Sequence, residues 1–196
     1  MPASSNPRIP ANLVETRSFP VVQIGEIPAF DANTWDLTIS GMVEKPLRYN
    51  WNEFRALPRV TRDCDFYCIL GFARLDNRFE GVLLRDLLDR ATIKTGARFV
   101  RFSDGQQYDT TIPLDWALET DVLLSDTHDG RPLAPEHGAP IRIIVPGRNG
   151  WKQCKWVRLV ELLEKDKPGF WESRGKSNEA DPFESHEVKK TKATKN

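Results

Sequence analysis

The chain has 196 residues, enough for one domain with a substantial core and too few for two generous ones. Lysine plus arginine equals aspartate plus glutamate at 28 each, so the formal charge is zero. That balance excludes a general polyanion-binding role, nucleic acid above all, and any anion chemistry has to be local.

The opening MPASSNPRIP is rich in Pro, Ser and Asn, and residues 1–18 read as an arm lying on the surface. The first periodic signal is T-W-D-L-T-I-S-G at 34–41, where Trp35, Leu37 and Ile39 alternate with polar residues, as in a strand with one buried face. W-N-E-F-R-A-L-P at 51–58 predicts a short helix stopped by Pro58, with Trp51, Phe54 and Leu57 on one side. V-L-L-R-D-L-L-D-R-A at 82–91 predicts an amphipathic helix on Leu83, Leu84, Leu87 and Leu88.

Strands follow at 97–103 and 108–113, joined by a turn at Asp104-Gly105. Residues 113–118 suit a short helix with Pro113 at its start, and D-V-L-L-S leads to a D-G-R-P turn. I-R-I-I-V-P at 141–146 is an apolar, β-branched strand. In W-V-R-L-V-E-L-L at 156–163 the periodicity leans helical, with Trp156, Leu159, Val160 and Leu163 on one face. From Asp166 onward apolar content falls, and the chain ends in K-K-T-K-A-T-K-N, a solvated tail.

The expected organisation is an arm at 1–18, one domain at 19–170, and a largely solvated extension at 171–196. There is no basic-plus-apolar leader, no twin-arginine pair and no apolar run of membrane-spanning length, so the expected setting is the cytoplasm. Three cysteines, Cys64, Cys68 and Cys154, argue against a disulfide framework and leave thiols free for chemistry.

Four features could carry chemistry, each beside an ordinary alternative. Cys68 lies in an apolar run, where a cysteine is more often a small buried hydrophobe. With Cys64 it makes C-x3-C, but no second pair completes a zinc site. Residues 135–156 gather His137, Arg142, Arg148, Lys152 and Lys155 around the turn P-G-R-N-G, whose glycines permit a nest of N–H groups for an anion; a solvated basic loop is the alternative. Arg74 and Arg78, one helical turn apart, would favour a thiolate at Cys68, or else pair with Asp76 and Glu80. Ser103-Asp104-Gly105 is either a ligand contact or turn chemistry.

Ordered motifs over residues 8–185 resemble the sulfite oxidase family of molybdopterin-dependent oxidoreductases, in its short single-domain form. They are W-D-L-T-I-S-G-M-V-E-K-P-L at 35–47, C-I-L-G-F-A-R-L-D-N-R-F-E-G-V at 68–82, the D-G-R-P to P-G run at 129–147, G-W-K-Q-C-K-W-V at 150–157, and P-G-F-W-E-S-R-G at 168–175. The resemblance implies an α+β, β-rich molybdopterin-binding domain without the C-terminal immunoglobulin-like dimerisation domain, hence a monomer. It also shifts 156–163 from helix to strand.

By resemblance, Cys68 ligates molybdenum beside the dithiolene of one molybdopterin, for which a soft sulfur donor is suited. His137, Arg142, Gln153, Cys154 and Lys155 fall on positions that bind the pterin and its phosphate, Asp104 on a pterin-contacting acid, and Arg78 on an arginine near the anion-binding face. The implied cofactor is Mo-molybdopterin, and the partners are a small oxo-anion or S-oxide and an external electron carrier. The implied reaction moves an oxygen atom to or from a sulfur or nitrogen oxo compound; the alternative is a non-catalytic module that keeps the fold.

Departures cluster around the metal position. Tyr67, Leu70, Phe72 and Ala73 stand where short relatives carry His, Thr, Trp and Ser, and Asn149 stands in place of an aromatic, commonly tyrosine. That tyrosine's role would be vacant, or taken by Arg148 or Tyr67.

Overall fold

A computed structural model describes residues 6–184. In chain order its elements are β1 (Val14–Glu15), β2 (Asp36–Gly41), β3 (Leu47–Asn50), α1 (Trp51–Arg55), β4 (Val60–Cys68), β5 (Phe72–Leu83), α2 (Leu84–Ala91), β6 (Phe99–Ser103), β7 (Asp109–Pro113), α3 (Leu114–Ala117), β8 (Leu123–His128), β9 (Arg131–Pro132), β10 (Arg142–Ile144) and β11 (Leu159–Leu163). Two mixed sheets carry the fold: β3-β2-β11-β6-β7, and a second in which the long β5 pairs with β4 along one edge and with β1 and β8 along the other, β8 continuing to β9 and β10.

Alternation explains the first sheet. Leu37 and Ile39 of β2, Val100 and Phe102 of β6, Ile112 of β7, and Val160 and Leu162 of β11 all project into one core, shared with Leu84, Leu87 and Leu88 of α2 and Leu124 and Ile143 of the second sheet. This is the α+β, β-rich architecture, and within the described residues no immunoglobulin-like unit follows it. No described helix is long and apolar enough to cross a membrane.

The expected helices form, with trimmed ends. α1 starts on a capping box, Asn50 accepting from the Glu53 N–H while Glu53 accepts from the Asn50 N–H, and it stops before Pro58. α2 begins at Leu84 rather than Val82, because Val82 and Leu83 are paired with Leu124 and Leu123 of β8. The helical spacing in 156–163 is overridden. β11 lies between β2 and β6 with backbone pairing on both sides, so Val160 and Leu162 are buried while Leu159 and Leu163 are only half-buried.

The arm is tied down rather than loose. Ile9 and Leu13 are buried against Tyr67 and Ala73, and β1 runs parallel to the start of β5, with Val14 opposite Phe72. The expectation of a solvated extension from 171 is corrected for its first part: Glu172 and Asn178 both bind Lys152, and Ala180 is fully buried. The lysine-rich end beyond 184 and residues 1–5 lie outside the described residues.

Candidate active site

β4 ends at Cys68, where a tight turn closed by the Gly71 N–H on the Cys68 carbonyl (3.0 Å) sends the chain into β5. The segment 149–150 packs on this end of β4. Asn149 is bridged to Tyr67, and a Cβ on Gly150 would stand 2.8 Å from the Phe66 ring and 3.2 Å from the Tyr67 carbonyl, so only glycine permits the approach. Between them opens a cavity of about 320 Å³. Cys68, His137, Arg142, Gln153 and Lys155 all face it, five of the residues singled out from sequence.

Arg142, at the start of β10, is 2 % exposed, and no carboxylate pairs with it among the described residues. Its guanidinium donates to the carbonyls of His137 (3.1 Å) and Gln153 (3.3 Å), lies over the rings of Phe19 and Phe66, and leaves Nε without a partner. Burial lowers its pKa to about 10. Among the described residues Lys155 donates only to carbonyls, those of Val22 (2.7 Å) and Glu136 (2.5 Å), and lies over the Trp156 ring; burial, then the Arg142 charge, brings its pKa down to about 7. Gly138 lets these two basic side chains lie close together, since a Cβ there would sit 3.1 Å from the Cβ atoms of both.

His137 stacks on Phe19 at 4.6 Å, and its pKa is lowered by burial and by Arg142 and Lys155. The Cys68 thiol is buried. Burial raises its pKa, opposed by the Leu70 backbone N–H and the charges of Lys155 and Arg142. The free thiol is therefore protonated at neutral pH, and it would give up that proton to a metal.

Three predicted residues lie elsewhere. Asp104 is spent on its turn, one carboxylate oxygen accepting from the N–H groups of Gln106, Gln107 and Tyr108 (2.8–3.0 Å), which is the turn-chemistry alternative. Cys154 is fully buried in the main core with its thiol toward the Lys155 carbonyl, a small hydrophobe rather than a lining group. Arg78 is mostly exposed and faces Asp63, whereas Cys68 stands opposite Phe72; at strand rise that is on the order of 20 Å away along the hairpin.

Other expectations are corrected too. Arg74 is tied to Asn77, His128 and Asp129. The turn at 146–150 is no anion nest: the Arg148 and Asn149 N–H groups donate to the carbonyls of Val145 and Ala180. Arg148 stacks on Trp116, Lys152 pairs with Glu172 at 2.6 Å, and the Tyr67 hydroxyl points to the arm, at the Arg8 carbonyl. Neither Arg148 nor Tyr67 takes the place of the missing aromatic.

Sequence reasoning missed the aromatic and apolar walls: Phe19, Val22, Phe66, Trp151, Trp156 and Trp171. The density of ten Phe and six Trp was the available signal, but no periodicity marks which of them line a cavity. Among the described residues no group of three or more His, Cys, Asp or Glu side chains converges, which leaves C-x3-C without a zinc site.

The lining fits an anionic cofactor with a thiophilic metal. It offers one soft sulfur donor, a buried arginine and a half-buried lysine that pair with no carboxylate among the described residues, and unpartnered polar atoms on Arg142 and Gln153. A family profile described as "Oxidoreductase molybdopterin binding domain" matches residues 24–171. The chain belongs to this family. It is a molybdopterin-binding oxidoreductase domain of the sulfite oxidase type.

Among its relatives, the uncharacterized oxidoreductase YuiH of Bacillus subtilis is 36% identical over 179 residues, covering 91% of this chain and 90% of that protein. The putative protein-methionine-sulfoxide reductase subunit YedZ1 of Azospira oryzae is 26% identical, covering 86% and 65% respectively. The chain spans only 18% of the NADPH nitrate reductase of Fusarium oxysporum, at 27% identity. Among solved structures, the sulfane dehydrogenase SoxCD of Paracoccus pantotrophus superposes with a TM-score of 0.63 at 25% identity, over 71% of this chain and 40% of that one.

Proposed function

We propose that this domain transfers an oxygen atom to or from a small sulfur or nitrogen oxo compound, with Cys68 giving its thiolate to molybdenum and a separate carrier exchanging the electrons. The supporting observation is that the Cys68 thiol shares one cavity with Arg142 and Lys155, two cations that form no ion pair with a carboxylate among the described residues. The proposal includes a monomer acting in the cytoplasm. Relatives named for nitrate and for methionine sulfoxide support the substrate class without choosing within it.

When bound, the cofactor supplies the two-electron exchange: X=O plus two electrons and two protons gives X and water, or the reverse. The chain's residues do the rest. Arg142 and Lys155 would hold the anionic end, where charge-assisted donors are strongest. His137 and Gln153 flank them, and the aromatic walls exclude water and keep the local dielectric low.

Cys68→Ser tests this reading. The variant is expected to retain pterin but lose all turnover, and to lack the cysteine-dependent molybdenum resonance expected of the parent protein on partial reduction. Unfolding of the variant would point to a packing role for Cys68. A parent protein that holds pterin without any redox response to S-oxides, N-oxides or nitrate would favour the non-catalytic module, the reading that the apolar neighbours Leu70, Phe72 and Ala73 favour.

A further inference from the structure

Asn149 is fully buried, lines the cavity that Cys68 lines, and uses neither end of its side-chain amide: Nδ2 and Oδ1 both lack a partner among the described residues. Its backbone is fully engaged. The N–H donates to the Ala180 carbonyl (2.8 Å), the carbonyl accepts from the Lys152 N–H (3.0 Å), and the residue is bridged to Tyr67, next in sequence to Cys68. The side chain is thus held in place by its main chain, with its hydrogen-bonding capacity unspent.

A buried amide without partners costs stability, and such a group persists where a ligand completes it. The apolar surroundings, Phe66, Ile69, Phe72, Trp151 and Trp171, leave few polar atoms to compete. The two cations of the cavity are engaged with carbonyls from Val22, Glu136, His137 and Gln153. The Asn149 Nδ2–H group is a donor that no atom of the described residues accepts from.

We propose that Asn149 is a positioning residue: its amide donates a hydrogen bond to the oxygen of a compact, neutral oxo compound bound beside Cys68. The apolar walls receive the body of that compound. This inference rests on the oxygen-transfer reading for the identity of the ligand. An amide does not titrate at working pH, so Asn149 orients the oxygen and moves no proton.

The test uses dimethyl sulfone as a non-turnover probe, titrated into the cofactor-loaded protein, together with melting of the cofactor-free chain. Asn149→Leu removes the amide at similar size. Its cofactor-free melting temperature should hold or rise, while its affinity for the sulfone should fall at least ten-fold at unchanged molybdenum content. Asn149→Asp, which keeps the acceptor and loses the donor, should lose sulfone affinity as Leu does, and Asn149→Ser should recover part of it through its hydroxyl.

A cofactor-free Asn149→Leu that melts well below the parent, or that fails to fold, would assign the residue a structural role and overturn the proposal. So would sulfone affinity equal to the parent's in the Leu and Asp variants. Because the sulfone is not turned over, these results are read independently of whether the domain catalyses oxygen transfer.

Discussion

Two lysines three residues apart in sequence, Lys152 buried and Lys155 half-buried, meet opposite surroundings. Lys152 is fully buried and satisfied: its ammonium meets Glu172 at 2.6 Å, the Thr111 carbonyl at 2.7 Å and Asn178 at 3.0 Å. Lys155 meets two carbonyls and the Trp156 ring, and its cavity neighbour Arg142 is as deeply buried as Lys152 with no carboxylate paired to it among the described residues and an unused Nε. The first arrangement closes the fold, and the second leaves charge for a ligand to neutralise. Burial of a charge by itself therefore does not locate a site; the missing counter-charge does.

The largest effect that would sharpen this contrast is expected from Glu172→Ala. Stranding Lys152 should destabilise the cofactor-free chain by about 3–5 kcal/mol in urea unfolding. Arg142→Met should change cofactor-free stability by no more than about 1 kcal/mol, since two lost carbonyl hydrogen bonds are offset by removing an uncompensated charge. The same variant should bind the cofactor roughly ten- to a hundred-fold more weakly, the loss of one charge-assisted contact, measured as pterin retained through dialysis. Equal destabilisation by both variants would erase the distinction.

A third expectation concerns pH. The Lys155 pKa is lowered to about 7, so the free protein loses this charge as pH rises through 7. An anion favours the ammonium, so binding takes up a proton above that pH, and inorganic phosphate should bind progressively more weakly from pH 7 toward 10. Lys155→Met should flatten that profile. The smallest effect belongs to Arg78→Ala: at an exposed position far along β5, it should stay within about 0.5 kcal/mol of the parent and leave pterin content unchanged.

The sequence made most of this architecture legible through local pattern. Alternation at 35–39 and the apolar spacing at 83–88 translate directly into β2 and α2, because burial on one face is a local property. β11 was not legible that way, since its state depends on β2 and β6 flanking it. At the site, motif order brought Cys68, His137, Arg142, Gln153 and Lys155 together. It failed for Cys154, whose alternation with Gln153 and Lys155 turns it into the core, and for Asp104, whose turn absorbs its carboxylate. The aromatic wall from Phe19 was invisible because it comes from the chain outside every motif, laid across the cavity from the arm side.

Gly138 carries a consequence for recognition. With a methyl group at this position meeting Arg142 and Lys155 Cβ atoms at 3.1 Å, the spacing of the two cationic stems is gauged by main-chain contact instead of by the reach of flexible side chains. A single added carbon would press on both stems at once while straining a main chain held at φ +113°, so the distance between the two positive groups is set by the lack of a side chain at this one position.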